Sequence, residues 1–146
     1  ECRCMPGSIM RYRKRISGPM LDRIDLHVSV PFVDTEKLTT TTHTAESSDV
    51  IRIRVQACRD IQVARYSGTD MICNADLSTK DVKKYCPLDE ASLGCMKTAI
   101  NRFGLSARSY YRILKVARTI ADLAGAEHIR IEHVAEAIQY RPVSVE

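Results

Sequence analysis

The chain has 146 residues, 45% of them hydrophobic, so it can bury one core but is too short for two full-sized domains. Its formal net charge of +4, from 22 basic and 18 acidic residues, is ordinary for a globular domain and by itself indicates no nucleic-acid partner. No run of about 18 apolar residues could span a bilayer, and no basic and then apolar leader opens the chain. We therefore expect a cytoplasmic protein with no membrane partner.

A closely spaced pair of cysteines lies near the start of the sequence. Cys2 and Cys4 form a C-x-C pair that could supply two thiolates to a tetrahedral zinc ion. That is half a site, and no second pair of cysteines has matching spacing, so two free thiols are the simpler interpretation. The other four cysteines fall in or near helical patterns within a sizeable core, which favours reduced thiols over a disulfide framework.

Residues 3–23 hold six basic residues and one acid. Cations interleaved with an aromatic ring suit contact with a nucleic-acid backbone and stacking on bases. The alternative, that the same side chains line a subunit interface, stays open. The candidate contacts lie in the RYRKR stretch and are Arg11, Arg13, Lys14 and Arg15, with Tyr12 among them.

The stretch SGPMLDRIDLHVSVP, residues 17–31, predicts a strand. Its apolar residues alternate with polar ones, the period-two pattern of a half-buried strand, and Pro31 ends it. A single strand has no partner for its hydrogen bonds, so it should belong to a sheet whose other strands lie elsewhere. The apolar positions are Ile24, Leu26, Val28 and Val30.

A polar, threonine-rich stretch follows over residues 34–49 and predicts a linker. From about residue 50 the apolar period changes to 3.6, which predicts four or five helices forming a small bundle over 50–146. Ser48 or Asp49 should cap the first helix and Ser106 the longest one. The faces expected to be buried include Ile51, Val55 and Cys58 in the first helix, and Val134, Ala135 and Ile138 in the last.

Several of these stretches, above all SGPMLDRIDLHV and LSARSYYRILKVARTIADL, resemble the C-terminal half of magnesium-chelatase-like AAA+ ATPases of the ComM/YifB type. The resemblance implies that residues 1–33 end an ATPase core and that 50–146 form its helical lid. The fold class we expect is thus mainly α, a small helical bundle of the AAA+ lid type, preceded by one strand of an α/β nucleotide-binding core.

The same resemblance implies a longer parent protein that uses ATP and Mg²⁺ and assembles into a ring, which we expect to be a hexamer. The sequence contains no G-x-x-x-x-G-K-[ST] phosphate loop, so we do not expect this chain to hydrolyse ATP alone. In the family the C-x-C pair is combined with an earlier cysteine pair, and the resemblance implies that the four thiolates could bind Zn²⁺ in the parent. Because that earlier pair is absent here, we expect no bound cofactor in this chain.

Two arginines carry the roles that the resemblance implies. Arg23 matches the arginine finger that reaches the γ-phosphate bound by a neighbouring subunit, whereas the residues alone favour a local ion pair with Asp22 or Asp25. Arg108 matches the sensor-2 arginine, which reads the nucleotide of its own subunit. The family resembles DNA translocases, so DNA is an expected partner.

A protein of another class stays open as the alternative. The same helices could form a free-standing DNA- or protein-binding module with no ATPase activity.

Overall fold

The computed structural model describes residues 3–21, 23–33 and 45–141, except the side chain of Arg13. Within these ranges the protein is mainly helical, as expected, and its only β-structure is a one-residue bridge between Leu88 and Ile129. A short 3₁₀ turn covers Asn74–Asp76. The described helices are α1 (Pro6–Arg13), α2 (Gly18–Leu21), α3 (Ser48–Arg65), α4 (Thr79–Tyr85), α5 (Glu90–Phe103), α6 (Ala107–Leu123) and α7 (Ile131–Gln139).

Several helices of the bundle begin at a residue whose side chain caps a free N–H group, and α5 ends at a glycine. The Ser106 hydroxyl accepts a hydrogen bond from the N–H of Ser109, so the predicted cap of α6 is confirmed. The cap of α3 is Ser47 and not Ser48 or Asp49. Gly104 ends α5 with φ of +59°, in the left-handed region that favours glycine.

Helix α6 lies at the centre of the bundle. It packs against α3, α4 and α7, while α5 packs on α7. Ala117 and Ala121 are fully buried on α6, and such small side chains let neighbouring helices approach closely. The hydrophobic core of the described residues comprises Tyr66, Leu77, Val82, Cys86, Met96, Ile113, Leu114, Ala117, Ala121, Ile129, Val134 and Ala137.

The predicted strand over residues 24–30 is wrong for the structure. This segment has irregular backbone, and its apolar side chains are exposed, Val30 by 84%. A strand requires a neighbouring backbone to complete its hydrogen bonds. Within the described residues the bundle offers the segment one such bond, in which the N–H of His27 donates to the carbonyl of Tyr140 at 2.8 Å.

Three details of the helical domain also differ from expectation. Ile51 and Val55 are exposed, whereas Cys58 is buried as expected and Gln62 is buried one turn further on, because a helical pattern marks a face but not how far along it a neighbour reaches. In α7, Ala135 is exposed where Ala137 is buried. The predicted linker lies mostly outside the described residues, and α3 has already begun by its end.

A buried group of polar side chains, which we call the Asp122 cluster, joins three elements of the bundle. The carboxylate of Asp122 is fully buried and accepts hydrogen bonds from Arg65 of α3 (2.7 Å), Asn74 of the 3₁₀ turn (2.9 Å) and Arg118 of α6 (3.1 Å). Arg118 also donates to the carbonyl oxygens of Ala126 (2.7 Å) and Glu127 (2.9 Å). The cluster therefore also fixes the loop that leaves α6.

The surroundings of Asp122 keep its carboxylate ionised. Burial by itself raises the pKa of this group, but the hydrogen bonds from Arg65 and Asn74 and the charges of Arg118 and Arg65 outweigh it, so the pKa lies below its ordinary value. A buried ion pair with all of its hydrogen bonds made is costly to break, because removal of one partner strands the other charge away from water.

We predict that Asp122→Asn lowers the free energy of unfolding by about 3 to 5 kcal/mol at pH 7, the cost of leaving buried arginines unpaired. Because the pKa of Asp122 is lowered on folding, the ionised carboxylate contributes fully to the free energy of unfolding above the unfolded pKa of about 3.9. That contribution is lost as the pH falls through the folded pKa. Urea unfolding between pH 7 and pH 3 should therefore show that the free energies of unfolding of the variant and the wild type approach each other below about pH 4.

The matched control is Asp49→Asn, which removes the exposed ion pair between Asp49 and Arg52 (2.8 Å). An exposed pair contributes at most about 1 kcal/mol, so this variant should unfold nearly like the wild type. Equal effects of the two substitutions would contradict the role assigned to the Asp122 cluster.

Candidate functional site

The first predicted site residue, Arg23, lies in a turn directly after α2. Its backbone N–H donates to the carbonyl of Met20 at 3.0 Å, and its side chain is exposed. The proposed local partner Asp25 instead contacts Arg112 of α6, with 3.0 Å between Oδ1 and Nη1. The other proposed partner, Asp22, lies outside the described residues.

The second predicted site residue, Arg108, lies in the first turn of α6. Its side chain is exposed and makes no hydrogen bond or ion pair with any residue that the structure describes. The N-terminal end of a helix carries partial positive charge and free N–H groups, so a cation there reinforces a field that favours anions. The position suits contact with a phosphate.

A cleft of about 180 Å³ brings the neighbours of both arginines together. Ile24 and Asp25, which follow Arg23, line it on one side, and Ser106 and Ser109, which flank Arg108, line it on another. Two further cations also line the cleft. They are Arg112 and Arg141, and the guanidinium of the second lies 3.4 Å from the centroid of the Phe103 ring.

Two basic residues, Arg112 and Lys115, continue from Arg108 along one face of α6 as a basic stripe. Both have specific protein partners in the structure. Arg112 pairs with Asp25, and the ammonium group of Lys115 donates to the carbonyl of Ala75 at 2.8 Å. These two side chains hold other parts of the protein against α6. Of the stripe, Arg108 is the residue that the described structure leaves available for a ligand.

The basic segment near the start of the chain is exposed. Arg11 lies on α1, and Lys14 and Arg15 follow it, while the side chain of Arg13 lies outside the described residues. The guanidinium of Arg15 lies 5.9 Å from the centroid of the Tyr12 ring, and that ring is itself 72% exposed. Cations and an aromatic face are thus presented together to solvent.

The cysteines give no metal centre in the described part of the chain. Cys4 is an exposed thiol, and Cys2 lies outside the described residues. Nowhere in the described residues do three or more His, Cys, Asp or Glu side chains lie close enough together to hold a metal ion. Zn²⁺ therefore has no support there. The described cysteines are free thiols, as expected, and burial raises the pKa of Cys86 to about 11.

None of the described helices combines the length and the apolar character needed to cross a bilayer.

Comparison with known proteins decides the family. Residues 45–141 match the family model for the C-terminal part of magnesium chelatase subunit ChlI, and residues 1–38 match the model for magnesium chelatase subunit ChlI itself. The chain belongs to the magnesium chelatase ChlI family. The resemblance to proteins of the ComM/YifB type is thereby confirmed, and with it membership of the AAA+ proteins.

Relatives of this ChlI-family chain include competence protein ComM of Haemophilus influenzae, which is 42% identical over 95% of the chain and 26% of its own length. The uncharacterized protein YifB of Escherichia coli is 36% identical over 97% of the chain and 27% of its own length. YifB of Salmonella typhimurium is 37% identical over the same shares. The chain spans about a quarter of the length of these curated relatives.

Sequence reasoning missed the contacts that hold the site of this ChlI-family chain together. The pairing of Asp25 with Arg112 joins residues far apart in the chain, and no local spacing indicates it. Arg118 and Asp122 did leave a signal, since they are opposite charges at i and i+4 directly beside the buried residues Ala117 and Ala121. That pattern indicates a buried ion pair on α6.

Proposed function

We propose that this chain supplies two arginines to ATP hydrolysis by a ring-forming AAA+ ATPase. Arg23 acts across the subunit boundary as an arginine finger, and Arg108 reads the nucleotide of its own subunit. The observation that carries the proposal is the cleft, because the segment following Arg23 and the N-terminus of α6 meet there and leave both guanidinium groups exposed. Family membership supports ATP and Mg²⁺ as the ligands of the parent protein.

The chemistry assigned to Arg23 follows from the guanidinium group. It is charged at every physiological pH, and its fork of N–H donors matches the oxygens of a phosphoryl group. When ATP and Mg²⁺ are bound, phosphoryl transfer builds negative charge on those oxygens, and a positioned cation stabilises it. Arg23 suits this task because its exposed side chain stands on a turn held by backbone hydrogen bonds.

Arg108 acts differently because it belongs to the bundle. As a residue of the first turn of α6, it adds a full charge to the positive end of the helix. A phosphate bound there would pull on α6, the helix that contacts α3, α4 and α7. Arg108 therefore links nucleotide binding to the position of the whole bundle.

We further propose that the full-length protein acts on DNA. The supporting observation is the exposed basic segment with Tyr12 among its cations, a combination that suits backbone contact and stacking. The name of the relative ComM, a competence protein, agrees with a DNA substrate.

The finger assignment predicts that Arg23→Ala in the full-length protein lowers ATP turnover by about 10³-fold or more while nucleotide affinity stays nearly intact. The physical reason is that only the charge built in the transition state loses its partner. Steady-state turnover and nucleotide titration measure the two quantities. Mixing this variant with one whose phosphate-loop lysine is replaced should restore part of the activity, because a mixed ring pairs an intact loop with an intact finger.

The matched control is Arg59→Ala, which removes another exposed arginine from α3 and should leave turnover unchanged. Normal turnover in Arg23→Ala would refute the finger assignment. A loss of folding with no rescue on mixing would show a structural ion pair instead.

For DNA, we predict that replacing Arg11, Lys14 and Arg15 by alanine weakens duplex binding by the full-length protein equally for all sequences. Each lost phosphate contact should reduce the slope of log K against log salt by about 0.9, so three contacts reduce it by about 2.7. Fluorescence anisotropy between 50 and 200 mM salt, over which the Debye length falls about twofold, measures the slope.

The control for the DNA measurement replaces three exposed lysines elsewhere on the bundle and keeps the change in net charge the same. An unchanged slope in the first variant, or an equal reduction in both, would contradict contact by the basic segment. The lysines of the control are Lys80, Lys83 and Lys97.

A further inference from the structure

We propose that Asp25 and Arg112 are positioning residues that make Arg23 and Arg108 move together. The ion pair fastens the turn that carries Arg23 to the helix that begins beside Arg108, so nucleotide bound at one subunit boundary influences catalysis at the next. This inference rests on the proposed function of the two arginines. It adds a coupling between them, together with the pair of residues that carries it.

The contact is direct and joins two residues that are far apart in the sequence. Asp25 Oδ1 lies 3.0 Å from Arg112 Nη1, well within the distance of an ion pair. The side chain of Arg112 is 26% exposed and that of Asp25 54% exposed, so the pair lies at the edge of the cleft and not in the core.

The position of the pair relates the two proposed site residues. Arg112 follows Arg108 by four residues of α6, about one turn or 6 Å along the helix axis, and so lies on the same face. Asp25 follows Arg23 by two residues, at most about 7 Å of extended backbone. The ion pair is therefore a short bridge between the two arginines through the protein.

A second fastening holds the same segment at the end of α7. The N–H of His27 donates to the carbonyl of Tyr140 at 2.8 Å, and His27 Nε2 lies 3.4 Å from the carbonyl of Leu21 at the end of α2. The segment is thus attached to the bundle at two points, His27 and Asp25. A second attachment point restricts the rotation that a single point permits, so the two together limit the movement of the turn that carries Arg23.

The consequence for catalysis differs from that of a stabilising ion pair. A half-exposed pair contributes little to stability, since water screens it. The pair matters more for catalysis than for stability because it orients Arg23. A small displacement of a group that stabilises a transition state reduces the rate strongly. Loss of the pair should therefore reduce kcat without changing the KM for ATP or the melting temperature.

The experiment uses the full-length protein with Asp25→Asn and Arg112→Gln as single variants. We expect each to lower kcat for ATP hydrolysis about tenfold with KM within about twofold of the wild type, as for an interaction made only in the transition state. The exchanged pair, Asp25→Arg with Arg112→Asp, should recover most of the lost kcat because the bridge is rebuilt with reversed charges.

The matched control is the exposed ion pair of Arg54 and Glu46, whose oxygen and nitrogen atoms are 3.0 Å apart and whose side chains are 51% and 50% exposed. Glu46→Gln should leave kcat unchanged. A similar loss of kcat in this variant would overturn the inference, because any exposed pair would then have the effect.

Repeating Asp25→Asn in the Arg23→Ala background separates this inference from the proposed function. We expect no further loss there, since the bridge acts through Arg23. If Arg23→Ala lowers turnover but Asp25→Asn leaves kcat unchanged, the coupling is wrong and the finger stands. If Arg23→Ala itself leaves turnover unchanged, the proposed function fails. Equal losses from Asp25→Asn in both backgrounds would show a structural role and overturn the coupling.

Discussion

The buried carboxylate of Asp122 is the interaction on which the rest of this structure depends. A charge placed inside a protein is costly unless it is paired and fully hydrogen-bonded, and Asp122 meets both conditions through Arg65, Asn74 and Arg118. Its partners come from three different elements. The helices therefore have one arrangement in which this carboxylate is satisfied, whereas apolar packing alone tolerates several.

The candidate site inherits its geometry from that arrangement. Asp122 lies near the end of α6, and the cluster sets the position of this helix relative to α3 and to the loop leading into α7. The opposite end of the same helix carries Arg108 and Arg112. The end of α7 supplies the carbonyl of Tyr140 that receives the N–H of His27. A rigid central helix thus connects a buried cluster at one end with the exposed cations at the other.

The sequence predicted the helices of the bundle well because their signals are local. Ser106 begins α6 because its hydroxyl satisfies a free N–H group, and Gly104 ends α5 because glycine adopts a positive φ without strain. Both effects depend only on residues close in sequence. The apolar residues of α6 recur at helical spacing, and Ile113, Leu114, Ala117 and Ala121 are all buried.

What the sequence could not predict depends on neighbours distant in the chain. The alternation from Ile24 to Val30 has the period of a strand, but the described residues provide no adjacent strand, and the segment runs along the bundle as irregular backbone. Arg112, the partner of Asp25, and Arg65, a partner of Asp122, lie on other elements, so only the folded arrangement brings these pairs together. The role of Arg23 came from resemblance, because a lone arginine between two acids by itself favours a local ion pair.

The central claim is that the segment after Arg23 is fastened to the bundle, and amide hydrogen exchange at His27 tests it most directly. Its N–H donates to Tyr140, whereas the neighbouring amides of Leu26 and Val28 make no hydrogen bond within the described residues. Exchange followed by NMR should show the His27 amide exchanging more slowly than both neighbours, because a bonded N–H must open first. Equal exchange at all three amides would contradict the account, since the turn carrying Arg23 would then move independently of the bundle.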